Sequence, residues 1–116
     1  MNQIPNYEKA ILRGCEISAE NLTDWLTDER RIAENTQSNC SEELIEYYDG
    51  LKEAFWNIET HIDKNPKQFT VGSMLKWLGT AFTEMYPERI PDSVFYEGAE
   101  TAIDKTKEYL MIFKKD

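Results

Sequence analysis

Histidine is nearly absent from this chain: His61 stands alone, so a histidine-based metal site or a Ser-His-Asp arrangement has one candidate and no company. Only Cys15 and Cys40 carry thiols, and neither has a Cys-x-x-Cys neighbour. The five glycines, at 14, 50, 72, 79 and 98, are isolated, so no phosphate-cradling loop exists. Four prolines among 116 residues are too few for a disordered tail. No run approaches the roughly 18 apolar residues of a membrane span. The opening Met1-Asn2-Gln3-Ile4-Pro5-Asn6-Tyr7-Glu8 lacks the basic and apolar blocks of a secretion signal, so the expected location is cytoplasmic. Two separate cysteines fit reduced thiols there.

What the chain has in excess is acid, and it is one-sided. Residues 1–63 carry 14 Asp and Glu against 5 Lys and Arg, net −9, whereas residues 64–116 carry 8 against 8. A face of this sign repels nucleic acid and anionic lipid and attracts basic protein surfaces. The expected partner is therefore a protein with a basic surface, with no direct nucleic-acid contact and no membrane.

Period-2 alternation is missing, while apolar residues recur at helical spacing in four stretches. In the first, from about 5 to 35, Ile4, Tyr7, Ile11, Cys15, Ser18, Leu22, Trp25, Ile32 and Ala33 form a stripe, with Pro5 in its first turn. Ser18 and Asn21 are both suited to cap a helix, which leaves this long first helix open to a break near residues 18–21. In the second, over 41–64, Leu44, Tyr48, Leu51, Phe55, Ile58 and Ile62 alternate by four and three. Asn39 with Glu42, or Ser41 alone, supplies its cap, and Asn65-Pro66 its stop. The third spans about 71–85 behind Thr70, with Val71, Met74, Leu75, Leu78, Phe82 and Met85 inward. The fourth spans about 93–113, using Phe95, Ala99, Ala102, Ile103, Thr106, Leu110 and Phe113. One all-α domain over 1–116, an antiparallel four-helix bundle, is the expected fold.

Several residues depart from that plain pattern. Glu42, Glu46, Asp49 and Glu53 lie within about 40° of the point opposite the second helix's apolar seam. They form a carboxylate row without lysines at i+4. The row is either a solvated face or a docking surface, with Asp24 and Asp28 of the first helix as its outer members. Trp56 lies about 120° from the seam, either as core beneath the first helix or a loop, or as an exposed anchor beside the acids. Glu29 falls within the first helix's stripe, which predicts that this helix has run past the bundle by Arg30 and Arg31. Met111 and Ile112 fall outside the fourth stripe, covered by an N-terminal segment or a neighbouring helix, or paired in a homodimer.

No motif in the chain belongs to a family that names a reaction. The expected function is a small acidic protein-binding module that docks on a basic partner. Inhibitors, immunity proteins and bacteriophage anti-defence proteins share this charge and size. A structural protein that self-associates through Met111 and Ile112 is the alternative. DNA mimicry is less favoured, because net −9 is mild beside a duplex. So is a Mg-dependent all-α nucleotide pyrophosphatase, because Glu43-x-x-Glu46 and Glu97-x-x-Glu100 point away from the seam. No cofactor, metal or catalytic residue is expected.

Overall fold

The computed structural model describes residues 17–64, 69–88 and 93–113. Among these residues there are four α-helices and no strand. They are α1 (Ala19–Gln37), α2 (Ile45–Lys64), α3 (Val71–Met85) and α4 (Val94–Met111), with a 3₁₀ turn at Glu42–Leu44 leading into α2.

Local signals set most boundaries. Ser18 is extended and its hydroxyl accepts from the Asn21 N–H at 3.0 Å, so α1 starts at Ala19. The first half of the expected long helix, Cys15 included, and the Asn65-Pro66 stop lie outside the described residues. Thr70 and Ser73 exchange side-chain and backbone bonds in a capping box that opens α3. Ser41 and Ser93 stand at their N-cap positions in extended conformation without a side-chain cap bond.

Contacts between side chains give the helix directions. Gln37 reaches Asp49 while Arg30 reaches Glu59, so α1 and α2 are antiparallel. His61 stacks on Trp77 while Tyr86 bonds Glu53, which sets α3 antiparallel to α2. Tyr86 and Phe82 at the end of α3 meet Tyr96 at the start of α4, and Tyr86 also meets Phe95. The helices thus run up, down, up, down, and α2 and α4 are parallel.

The two parallel helices make the tightest crossing. A Cβ built on Gly50 would fall on the Phe95 carbonyl, 2.8 Å from its carbon, and one built on Gly98 would lie 2.9 Å from the carbonyl carbon of Tyr47. Backbone therefore meets backbone, which only glycine at both crossing points permits. Helices α1 and α3 flank this central pair. The core they enclose includes the fully buried Leu22, Leu26, Phe55, Ile58, Leu78 and Leu110. Thr106 is buried with them and donates its hydroxyl to the Ala102 carbonyl at 2.8 Å, so it adds no orphan polar group.

Two expectations about the helix ends are corrected. Leu44 is 44% exposed, because no described helix extends far enough to cover it: α1 ends at Gln37, which bonds Ile45, and the first turn of α4 meets α2 at Gly50, through Phe95. The first helix does not run past the bundle at Glu29. Ala33 is buried beyond it, and Arg30 turns inward to pair with Glu59, so α1 stays on α2 to its last turn.

His61 illustrates how a flank residue is tuned. Its ring lies 3.7 Å from that of Trp77 at 7°, and partial burial is the main cause that lowers its pKa below 6.5. Glu84 opposes the shift and Lys64 adds to it. The unfolded chain therefore takes up the proton more readily than the folded one. The stability His61 lends is present above pH ~6.5 and lost as pH falls through the folded value. As the sole histidine it gives a clean NMR titration, expected to read below 6.5. In Trp77→Ala the value should rise; an unchanged value would show that the stack is not what dries the ring.

Candidate functional site

The outer face of α2 collects most of the residues singled out by sequence. Glu42, Glu46, Asp49, Glu53 and Trp56 are all exposed, with Trp56 at 53%. Trp56 is thus solvent-facing and not core beneath α1. The reason is geometric: Leu51, Ala54, Phe55 and Ile58 fill the inner face, and α1 ends its contact with α2 along Lys52 and Glu59. One turn-by-turn strip of α2 is then left exposed.

A shallow open depression of about 500 Å³ crosses this face. Arg30 and Glu34 of α1 bound one side, Asp49, Lys52, Glu53 and Trp56 of α2 form the floor, and Phe95 of α4 closes the other side. The charges within it are mixed. Lys52 lies 3.8 Å from Asp49 Oδ1 and donates to Gln37 Oε1 at 2.6 Å. Gln37 in turn donates from Nε2 to Asp49 Oδ1 at 2.8 Å and to the Ile45 carbonyl at 2.9 Å. Glu53 accepts the Tyr86 hydroxyl at 3.2 Å. Burial first, then the charge of Glu53, pushes the Tyr86 phenol well above its ordinary pKa, so it stays a donor.

The carboxylate row is therefore partly neutralised, though at i+3 and from within the first half of the chain. Asp49 has Lys52, and on α1 Asp28 has Arg31 at 3.7 Å. The row has no lysine at i+4, and its neutralising cations stand at i+3 instead. Among the described residues the ion pairs join α1 and α2 or lie within them, and none brings a cation from residues 64–116. Glu42 and Glu46 have no ion-pair partner among the described residues.

Asp24 and Asp28 do not join this face. Thr27, Arg30 and Gln37 are the α1 residues turned toward α2, and Asp24 and Asp28 project from the other side of the helix. At the far end of the bundle Met111 is 52% exposed and Ile112 is half-buried against the core. The two Glu-x-x-Glu pairs are exposed on the α2 entry and on α4, and no cluster of three or more metal-ligating side chains occurs among the described residues. Cys40 is a free thiol, half-buried just beyond α1.

Arg30, Glu34, Lys52 and Phe95 were missed as members of this depression. Lys52 was legible, standing between Asp49 and Trp56 at three and four residues. Arg30, Glu34 and Phe95 required the helix pairing, which the chain states only through its folded contacts.

No helix among the described residues is long and apolar enough to cross a membrane. No protein-family model, curated protein or solved structure matches this chain.

Proposed function

We propose that this protein acts by binding another protein, and that the outer face of α2 meets a basic surface on that partner. The observation that carries the reading is the exposure of Glu46 and Trp56 on α2 and of Glu42 in the turn before it, with no cation from residues 64–116 paired to them among the described residues. Carboxylates at the start of this face and an exposed tryptophan further along it suit a cationic patch: the charges speed and orient encounter, and the indole supplies contact area. An inhibitor or immunity-type role, in which a small acidic domain covers a basic functional surface, is the class this arrangement fits. A bacteriophage anti-defence protein would use the same physics. The cytoplasm is the setting we propose, in keeping with the sparse cysteines.

The test is capture of binding proteins from the native host at low and high salt, with Glu42→Lys/Glu46→Lys as the paired variant. The parent is expected to retain a basic protein that salt elutes, and the variant to bind the purified partner at least about tenfold more weakly. Both residues are exposed, so folding stability should stay within about 1 kcal/mol of the parent. Equal affinity of parent and variant at low salt would refute the reading.

A further inference from the structure

The outer face of α2 carries a second pattern that the acidic reading does not use. Ile45, Asp49, Lys52 and Trp56 follow one another at four, three and four residues, the spacing of coiled-coil contact positions. This seam is separate from the inner one of Leu51, Phe55, Ile58 and Ile62; among the described residues Gln37 of α1 reaches its centre, while its two apolar ends are exposed. Its apolar ends stay in water, with Ile45 42% and Trp56 53% exposed. Its centre is a polar pair, Asp49 and Lys52, held in place by Gln37 of α1. Glu34 rises beside it from α1, and Glu46 and Glu53 run along the other side, seven residues apart, behind Glu42 of the 3₁₀ turn.

Building on the proposed contact with a basic partner, we infer that this seam is a groove for one basic amphipathic α-helix of another protein. The linear order argues for a linear occupant. Four contact positions over twelve residues extend about 16 Å along α2 at 1.5 Å per residue, and a partner helix repeats at the same rise. Apolar residues of that helix would cover Ile45 and Trp56, a polar residue would face Asp49 and Lys52, and lysines or arginines would flank them against the glutamates. The flanking acids also exclude a second copy of this chain, since α2 against α2 would set like charges face to face.

Two synthetic peptides test this. One places leucine at coiled-coil contact positions over three heptads with lysine beside them; the other has the same composition in an order that breaks the seam. The patterned peptide is expected to bind at least about tenfold tighter, to gain helicity on binding and to shift tryptophan emission. Ile45→Ser/Trp56→Ser should bring the two peptides to parity with the melting temperature unchanged, and Ile45→Ser alone should give an intermediate preference. Equal binding of both peptides by the parent would overturn the helix groove and leave the basic-partner reading standing. Binding of neither would overturn both. A preference that survives the double substitution would overturn the assignment to this seam.

Discussion

Gly98→Ala is expected to melt at least about 15 °C below the parent, and Gly50→Ala to behave alike. Each added methyl would overlap a backbone carbonyl of the opposite helix, of Tyr47 for Gly98 and of Phe95 for Gly50. A clash with a flexible side-chain tip can be relieved by a rotamer change, but one with a helix backbone cannot. The helices must separate, opening the contact that buries Leu51, Ala54, Ala99 and Ala102. Overpacking of this kind costs roughly 3 kcal/mol or more where nothing can give way. The double variant should therefore be unfolded or molten at room temperature, since small domains hold only about 5–15 kcal/mol in total. Gly79 provides the internal control. It sits in the middle of α3 with open space where a Cβ would go, so Gly79→Ala should gain roughly 0.5–1 kcal/mol. Thermal melts by circular dichroism give both signs. A loss under about 1 kcal/mol at Gly50 and Gly98 would show that the crossing is not set by these glycines.

The same glycines mark where sequence reading stops. In the one-dimensional pattern Gly50, Gly79 and Gly98 look alike, each a lone glycine in a helical stretch. Only the pairing of α2 with α4 tells two of them from the third. By contrast, the capping hydroxyls of Ser18 and Thr70 and the apolar periodicity of α3 and α4 are local, and they located those helices to within a residue or two. Leu26 lies outside the first stripe yet is fully buried, because α1 meets both Phe55 of α2 and Tyr109 of α4 through Trp25 and its buried face is wider than a single seam. The acidic row on α2 was legible for the same local reason, since 100° per residue fixes which side chains share a face. Its neutralising partners were legible only in part: Lys52 lies on the same helix, whereas Gln37 and Tyr86 come from helices whose direction had to be known. Asp24 and Asp28 went astray on this point. Their spacing places them on one side of α1, but not on the side that faces α2.

Arg30 and Glu59 offer the second large effect, and here the cost is expected to be asymmetric. Glu59 is 7% exposed on the side of α2 that α1 covers. Its Oε1 accepts the Thr27 hydroxyl at 2.7 Å and Arg30 Nη2 at 3.3 Å, while Oε2 lies 3.0 Å from Arg30 Nε as an ion pair without hydrogen-bond geometry. The Arg30 side chain is 36% exposed and keeps access to water, so the two partners do not bear desolvation equally. Arg30→Ala leaves a buried carboxylate with one hydroxyl and is expected to cost roughly 3 kcal/mol. Glu59→Gln keeps the shape and still accepts from Thr27, and the freed guanidinium can return to solvent, so about 1 kcal/mol is expected there. Replacing both, as Arg30→Met/Glu59→Met, should recover most of the loss, because an apolar pair of similar volume needs no compensating charge. Urea unfolding of the three variants measures the differences directly. If Arg30→Ala costs no more than Glu59→Gln, then burial of the carboxylate is not what makes this pair necessary, and α1 is held to α2 without it.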